Sequence, residues 1–264
     1  MSRSADHVRQ FYMSGMYRLY VLKKRIGYQL SPAGRQSLQH LAGLKDRYFG
    51  ERCFIIGNGP SLKNTDLSRL QTEFTFGLNR IYLLYPELGF TTTFLVSINQ
   101  LVMEQCAQEI LGQQTTKFLP WNFYPHIKGC KYADTIFLQT DVNRPGFTLD
   151  ARRPIWAGAT VTYIAMQLAY HMGFERVILI GVDHSFVTTG KAHAEVVSQG
   201  NDPNHFSPDY FGKGFRWQLP DLETSEIAYR KARQAYESRG HQIMDATIGG
   251  KLTVFPKVDY ATLF

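Results

Sequence analysis

Residues 53–62 read Cys-Phe-Ile-Ile-Gly-Asn-Gly-Pro-Ser-Leu, a short apolar run followed at once by a turn of small residues. Such a run is typical of a buried strand, and glycines let the backbone after it turn sharply and approach a ligand closely. Free amides in the turn, and at a helix start beyond it, attract phosphate. The stretch therefore predicts a strand, a turn and a helix start that bind an anionic group. The alternative is a tight turn without a ligand.

The turn departs from two common nucleotide-binding templates. It lacks the Gly-Lys-Ser end of the P-loop, and its glycines are not spaced as in the Gly-x-Gly-x-x-Gly turn that binds dinucleotides. An ATP-type or NAD-type template therefore fits this turn poorly.

From residue 52 onward, short apolar runs alternate with helical segments. The predicted strands are residues 53–56, 74–77, 93–96, 135–138, 177–180 and 242–244, and the predicted helices are residues 66–70, 101–111, 159–172 and 221–239. This alternation predicts an α/β fold, with a Rossmann-like, mostly parallel sheet and helices on both faces. The continuous apolar run at 177–180 is typical of a central parallel strand.

Two further segments accompany the predicted sheet. Residues 1–48 are predicted to be an N-terminal helical appendage, with an amphipathic helix over 6–29 and a second helix from Pro32 to about Lys45. Residues 49–264 form the predicted nucleotide-binding domain. Within it, residues 185–220 combine Gly, His, Asn, Asp and Pro with aromatic residues, which indicates a lid over the site.

Composition limits the partners and the compartment. The net charge of +7 favours an anionic partner, but the basic residues are scattered, which argues against nucleic acid. Three cysteines without metal-ligand spacing, no signal-peptide pattern and no apolar run of about 20 residues predict a cytoplasmic protein. The first helix has a basic face that would suit a membrane surface. The alternatives are packing on the domain or against a second copy of the chain.

The run from Phe54 to Lys63, then Asp66-Leu67, then Phe76-Gly77-Leu78-Asn79-Arg80-Ile81-Tyr82, resembles a group of bacterial proteins. The group includes the CMP-sialic acid-dependent sialyltransferases, the motility accessory factors that glycosylate flagellin, and the archaeal-type 6-hydroxymethylpterin diphosphokinase-like proteins. The resemblance implies that the turn holds a nucleotide. The residues it implicates are Gly57, Asn58, Gly59, Ser61 and Asn79, with Asn99 as a further polar ligand.

Two later segments extend the resemblance. Residues 156–160, Trp-Ala-Gly-Ala-Thr, resemble the group's Thr-Ser-Gly helix start, and residues 181–183 resemble its Gly-Ile-Asp strand end. The resemblance implies that Ala157, Gly158 and Asp183 bind the nucleotide and that Arg153 contacts a carboxylate of donor or acceptor. A helix N-terminus and a strand end suit these roles. For Asp183, the alternative is a structural hydrogen bond. Residues 245–250 resemble the group's terminal Asn-Ala-Thr-x-Gly-Gly element, which would cap the site or merely reverse the chain.

The histidines bear on mechanism. The segment Asn204-His205-Phe206 resembles the group's histidine-bearing lid, so His205 is the first candidate for the base that deprotonates an acceptor hydroxyl, and His184 is the second. The alternative is that each histidine only bonds a loop carbonyl. A zinc site built from Asp183, His184 and His193 matches no common ligand spacing, so no metal is expected.

The sialyltransferases carry two tyrosines after Gly-Ile-Asp that bind the leaving phosphate, whereas His184 and Ser185 follow here. Tyr210, Lys213 or Arg216 would have to replace them.

The resemblance implies an inverting glycosyltransferase that needs no metal or other cofactor. Its donor would be a CMP-linked acidic sugar, sialic-acid-like or Kdo-like, and its acceptor a bacterial glycan or glycolipid, in the cytoplasm or at the inner membrane. One alternative is a Mg²⁺-dependent pyrophosphate transferase of the 6-hydroxymethylpterin diphosphokinase type. It would use carboxylates drawn from Asp183, Asp202, Asp209 and Asp221. Another is a non-catalytic accessory protein of surface polysaccharide synthesis.

Overall fold

The strands and helices alternate along the chain as the sequence predicts. The computed structural model describes residue 19 and residues 21–127, 134–141, 143–188 and 190–264. The strands are β1 (Arg52–Ile56), β2 (Phe74–Leu78), β3 (Phe94–Val96), β4 (Thr116–Pro120), β5 (Thr135–Leu138), β6 (Thr140–Asp141), β7 (Ile155–Trp156), β8 (Arg176–Ile180), β9 (Glu195–Val197), β10 (Arg216–Gln218) and β11 (Gln242–Asp245). The helices are α1 (residues 21–30), α2 (Pro32–Leu44), α3 (Tyr85–Leu88), α4 (Gln100–Leu111), α5 (Tyr124–Ile127), α6 (Val161–His171) and α7 (Leu222–Glu237). Most of the first part of the predicted helix 6–29 lies outside the described residues.

Seven parallel strands form the main sheet, in the order β11-β8-β1-β2-β3-β4-β5. Strands β1 to β5 follow one another outward, whereas β8 and β11 lie on the other side of β1. The strand order therefore reverses between β1 and β8, and ligands of open α/β sheets bind beyond the carboxyl ends of the strands at such a point. The predicted Rossmann-like α/β fold is confirmed. Two small sheets, β6 with β7 and β9 with β10, lie outside it.

Both faces of the sheet are covered, because alternate residues of β1 point to opposite sides. Cys53 and Ile55 belong to a core that includes residues of α6 and α7. Phe54 and Ile56 belong to a second core that includes residues of α4 and the aromatic side chains of the lid. The lid therefore packs on one face of the sheet as part of the core.

The N-terminal helices cover the free edge at β5. The Ser37 hydroxyl, on α2, accepts a hydrogen bond from the Phe137 amide at 2.9 Å. The Tyr28 hydroxyl, on α1, donates to the Phe137 carbonyl oxygen at 2.7 Å. These contacts satisfy an edge strand that would otherwise expose its backbone groups. Among the described residues, no helix combines the length and apolarity needed to cross a bilayer.

Strand β4 is the element of the main sheet that the sequence did not predict. Its five residues, Thr-Lys-Phe-Leu-Pro, include a lysine and a proline, which are both unusual in a central strand. Lys117 is buried, and its ammonium group donates to the carbonyl oxygens of Gln113 at 2.7 Å and Thr115 at 2.9 Å. Desolvation lowers its pKa. Pro120 is the last residue of the strand.

Candidate functional site

A cavity of about 390 Å³ lies at the carboxyl ends of β1, β2, β3 and β8. This is where the strand order reverses, and the volume falls within the roughly 300–1,000 Å³ of small-molecule sites. The lid contributes Phe186, Phe211 and Trp217 to the wall. The predicted site residues that line the cavity are Gly57, Asn58, Gly59, Asn79, Asn99, Ala157, Asp183, His184 and His205.

The two glycines of the turn fit the neighbouring turn after β8. The Gly57 amide donates to the Ile180 carbonyl oxygen at 2.8 Å, and the Gly59 amide donates to that of Gly181 at 2.9 Å. A Cβ at Gly57 would lie 2.2 Å from the Gly181 oxygen, and one at Gly59 would lie 1.7 Å from Asp183 Oδ2. Only glycine therefore lets the two turns pass so closely. The amides of both glycines, which were expected to be free for an anion, are thus bonded within the chain.

The helix predicted after the turn is a five-residue 3₁₀ helix, Pro60–Asn64. It is too short to provide the dipole of a full helix. The Ser61 amide donates to Asp183 Oδ1 at 3.1 Å, and the Ser61 hydroxyl donates to Oδ2 at 2.7 Å. Ser61 is buried and outside the cavity lining. The structural hydrogen bond left open for Asp183 therefore exists, although Asp183 also lines the cavity.

Asn58 brings an unsatisfied polar atom to the cavity wall. Its side-chain Oδ1 is buried and, within the described residues, accepts no hydrogen bond. The Asn58 carbonyl oxygen accepts from the Phe206 amide at 2.9 Å, which ties the turn to the lid beside His205. Leaving a buried acceptor unpaired costs free energy, and because this atom has almost no accessible surface, the unpaired acceptor is a property of the turn itself.

Asn79 and Asn99 follow β2 and β3, and both line the cavity. Asn79 has a φ of 47°, which asparagine tolerates better than most residues. Its Oδ1 accepts from the Ser97 hydroxyl at 3.3 Å. Asn99 is the N-cap of α4, and its Oδ1 accepts from the Val102 amide at 3.1 Å. The carboxamide oxygens are thus used within the fold, so the NH₂ groups remain as donors to a ligand.

Three helices begin at the cavity. The N-caps of α4, α6 and α7 are Asn99, Thr160 and Asp221, and first-turn residues of each helix line the wall. A helix N-terminus carries a partial positive charge and attracts anions. In the part of the chain that the structure describes, the lining contains no lysine and no arginine. Among the described residues of the lining, the helix N-termini are therefore the groups suited to an anion.

In the segment before α6, some of the predicted site residues line the cavity and others do not. Ala157 lines the cavity. Gly158 is buried with a φ of 56°, and a Cβ there would lie 2.6 Å from the Ala228 side chain and 2.7 Å from Tyr163, so glycine permits close packing against α7. Arg153 is exposed and outside the lining. The geometry does not bring Gly158 or Arg153 to the cavity and gives their predicted binding roles no support.

His205 forms a close pair with Asp202 inside the lid. Its Nδ1 lies 2.6 Å from Asp202 Oδ2, and the two side chains are 13% and 4% exposed. The imidazole stacks on Tyr210 with ring centroids 3.9 Å apart, and Phe211 contacts it edge-on. Asp202 also accepts from the Asn204 amide at 2.9 Å. A carboxylate at Nδ1 orients the ring and leaves Nε2 to accept a proton.

The other two histidines of the cavity are paired through Nε2. His184 Nε2 lies 3.2 Å from Glu226 Oε1, and this hydrogen bond lowers the pKa of Glu226. His193 is largely exposed, and its Nε2 lies 3.1 Å from Asp221 Oδ2. Burial would raise the pKa of Asp221, but hydrogen bonds from Thr224 and His193 outweigh burial and lower it. Of the three, His205 alone has its Nε2 free among the described residues.

The residues expected to replace the phosphate-binding tyrosines lie away from the cavity lining. Tyr210 is buried, and its hydroxyl accepts from the Arg80 amide at 3.4 Å. Arg216 pairs with Glu104 at 2.8 Å, and Lys213 is exposed. The expected phosphate contacts therefore find no support in this geometry.

Arg80 ties the lid to the end of β2. Its guanidinium group donates to the carbonyl oxygen of Tyr210, and to that of Asp209 at 3.4 Å. It also lies over the Phe215 ring, 5.2 Å from the centroid, and 3.5 Å from a Glu109 carboxylate oxygen. These contacts hold the lid backbone to the sheet close to Asn79.

The turn at residues 245–250 supports the site through hydrogen bonds to the loop after β8. The Thr247 hydroxyl accepts from the Val182 amide at 3.1 Å, and the Lys251 amide donates to the Asp183 carbonyl oxygen at 2.8 Å. None of residues 245–250 lines the cavity. The turn therefore positions the loop after β8, and the expected cap over the ligand is not seen.

Sequence reasoning missed the pairing of the histidines with carboxylates: it named Asp202 and Asp221 only as possible Mg²⁺ ligands, and it did not name Glu226. Asp202 precedes His205 by three residues, a spacing visible in the sequence, whereas Glu226 and Asp221 are brought to His184 and His193 only by folding. Within the described ranges, no group of three His, Cys, Asp or Glu side chains is arranged to hold a metal ion.

The comparisons with known proteins agree with this fold. The family model described as 6-hydroxymethylpterin diphosphokinase MptE-like matches residues 32–189. The chain belongs to this MptE-like family, which confirms the predicted relationship. No curated protein sequence matches the chain.

Among solved structures, the chain is similar to the MAf glycosyltransferase from Magnetospirillum magneticum AMB-1. The two share 16% sequence identity with a TM-score of 0.53, over 89% of this chain and 40% of that one. At this identity the likeness shows the shared fold. The chain spans well under half of that longer protein.

Proposed function

We propose that this chain is a cytoplasmic glycosyltransferase that moves an acidic sugar, sialic-acid-like or Kdo-like, from a CMP-linked donor to a hydroxyl of a bacterial glycan or glycolipid. The reaction inverts the anomeric centre and uses no metal. One observation carries the proposal: the His205–Asp202 pair stands at a cavity where three helix N-termini meet. The printed name of the MAf structure, a glycosyltransferase of similar fold, agrees with it.

The charge of the cavity supports a donor with a single phosphate. Helix N-termini attract an anion without the full charges of lysine or arginine, which the described lining lacks. A CMP-linked sugar carries one phosphate charge and one carboxylate, whereas a triphosphate concentrates several charges that usually require a cation. The NH₂ groups of Asn79 and Asn99 supply polar contacts for base, ribose or sugar.

His205 is the base in this proposal. Its Nε2 takes the proton of the acceptor hydroxyl, and the hydroxyl oxygen forms a bond to the anomeric carbon. The bond between that carbon and the phosphate oxygen breaks on the opposite side, so CMP leaves with the electron pair and the configuration inverts. Asp202 orients the ring and stabilises the imidazolium that forms. General base catalysis of this kind contributes about 10²–10⁴-fold in rate.

Nucleotide binding tests the donor. Thermal unfolding of the full chain is followed with CMP, UDP, GDP and ATP, each with and without Mg²⁺. We expect CMP to raise the unfolding temperature most, without a need for Mg²⁺, because ligands stabilise the state they bind. An Asn79→Ala, Asn99→Ala double variant should lose that shift. An unfolding temperature that does not change with CMP at millimolar concentrations would contradict the proposal.

Turnover tests the base. CMP release from CMP-linked acidic sugars is compared between the wild type and His205→Ala, which removes the imidazole and keeps Asp202. We expect CMP to shift the unfolding temperature of both proteins, while turnover falls about 100-fold or more in the variant and recovers in part with added imidazole. If binding survives and the wild type turns over no activated sugar, the non-catalytic accessory role replaces the proposal.

The family description favours a second candidate, Mg²⁺-dependent transfer of pyrophosphate from ATP to a pterin-like alcohol. Such chemistry needs carboxylates free to hold Mg²⁺. Asp183, Asp202 and Asp221 accept hydrogen bonds from Ser61, His205 and His193, so metal binding would have to open one of these contacts. AMP release from ATP, Mg²⁺ and 6-hydroxymethylpterin would favour this candidate over sugar transfer.

A further inference from the structure

Helix α1 and the helical residue Leu19 just before it expose a row of large apolar side chains. They recur every three or four residues along one side of the helix, and each is about half exposed: Leu19 54%, Leu22 51%, Ile26 44% and Leu30 67%. At about 100° per residue, the four fall within a stripe of roughly 80°. We call these four residues the outer face of α1. A contiguous apolar row is unusual on a surface that meets only water.

The opposite side of α1 is the one attached to the protein. Tyr28 is 2% exposed, donates from its hydroxyl to Phe137, and packs edge-on against Trp121 with ring centroids 5.1 Å apart. Tyr28 lies about 180° around the helix from the centre of the outer face. The outer face therefore points directly away from the sheet.

Basic side chains lie on both sides of the outer face. On the helical projection, Lys23 borders it on one side and Arg25 on the other, and both are exposed. Apolar residues flanked by lysine and arginine match the boundary of an anionic bilayer, where the apolar groups enter the acyl region and the cations meet phosphates. The net charge of +7 acts in the same direction.

We propose that the outer face of α1 binds the surface of an anionic phospholipid membrane, with the helix axis parallel to the surface. Tyr28 and Ser37 then hold the membrane-bound helices to the β5 edge of the sheet. This inference does not depend on the proposed reaction, because neither Lys23, Arg25 nor any residue of the outer face lines the cavity.

Vesicle co-sedimentation of the full chain tests it. The vesicles are phosphatidylcholine alone or equal parts of phosphatidylcholine and phosphatidylglycerol. The apolar variant carries Leu22→Ser with Ile26→Ser, and the charge variant carries Lys23→Gln with Arg25→Gln. Leu149→Ser is the matched control, because Leu149 is similarly exposed at 52% but lies outside α1.

We expect the wild type and Leu149→Ser to bind the phosphatidylglycerol vesicles equally and to prefer them over phosphatidylcholine. The partition coefficient should fall about tenfold or more in the apolar variant, and about tenfold at low salt in the charge variant. Unfolding temperatures should stay unchanged, since all four substituted side chains are exposed.

Two results would overturn the inference. One is equal vesicle binding by the wild type and the apolar variant. The other is a wild-type dimer, in sedimentation equilibrium, that the apolar variant converts to a monomer, because the outer face would then contact a second copy of the chain.

Discussion

The glycine turn after β1 and the lid both contribute to the wall of one cavity and use their polar groups differently. In the turn, the amides of Gly57 and Gly59 and the side chain of Ser61 are bonded to the turn after β8. In the lid, Asp202 holds one ring nitrogen of His205 and leaves the other for the cavity.

The difference indicates that the glycine turn, the most recognisable segment of the sequence, has mainly a structural role. It closes the point where the strand order reverses, so its small residues are required by the fold before any ligand binds. The proposed base, His205, comes from a lid without periodic pattern, which the aromatic core and Arg80 hold in place. The comparison predicts that substitutions in the turn mainly change stability and that substitutions in the lid mainly change turnover.

The largest expected effect is in the lid, for Asp202→Asn. The amide keeps the size of the side chain but removes the charge that orients His205 and stabilises the imidazolium. Sugar transfer should fall about 100-fold or more, measured as CMP release, while the unfolding temperature changes little. Asp209→Asn, an exposed lid aspartate, is the control and should retain full turnover. Equal turnover in both variants would show that the His205–Asp202 pair takes no part in the reaction.

In the turn, Gly59→Ala should lower the free energy of unfolding by about 3 kcal/mol, because its Cβ overlaps the Asp183 carboxylate. Chemical denaturation measures the loss. Gly43→Ala is the control: Gly43 lies in α2 with nothing within 4 Å of an added Cβ, so alanine should be neutral or stabilising. If Gly59→Ala is as stable as Gly43→Ala, then the two turns do not pass as closely at Gly59 as the structure indicates.

A smaller effect is expected for Ser61→Ala, which removes the hydroxyl bond to Asp183 and keeps the amide bond. The free energy of unfolding should fall by about 1 kcal/mol. Ser68→Ala removes a similar hydroxyl–carboxylate bond, to Asp66, at an exposed position and should cost less. Equal losses in the two variants would mean that burial adds nothing to the Ser61 contact.

The smallest effect concerns Glu226, whose pKa is lowered first by the hydrogen bond from His184. A depressed carboxyl pKa stabilises the fold above the ordinary glutamate value near 4.3, and that contribution disappears as the pH falls through the lowered pKa. The wild type should therefore exceed Glu226→Gln in unfolding free energy at pH 6, and the two should converge in acid. A difference that stays constant down to pH 2 would contradict the pairing.

Much of the fold could be predicted from the sequence because its strands are short apolar runs separated by helices. Strand β4 was missed because it contains a buried lysine, which breaks the apolar pattern of a strand. Lys117 is accommodated because its ammonium group donates to nearby carbonyl oxygens, and the sequence does not show these contacts. The strands of the two small sheets have two or three residues each, too few to show periodicity.

The site was predicted in outline and missed in detail. The ends of the strands can be recognised in the sequence, and most of the residues predicted there lie together in the structure. Nine predicted residues line one cavity. The partners of those residues come from elsewhere in the chain: Asp183 reaches Ser61 across 122 positions, and Glu226 reaches His184 across 42. Arg153 was assigned by resemblance alone and Gly158 also from its place at a helix N-terminus, and neither lines the cavity.

The bond from the Phe206 amide to the Asn58 carbonyl oxygen restricts how substrates can arrive. Phe206 is the next residue after His205, so while this bond holds, the imidazole cannot swing away from the sheet. In the proposed reaction, the His205 ring would then keep its position in each cycle. An opening for a sugar nucleotide would have to come from other parts of the cavity wall, such as the side where His193 is exposed.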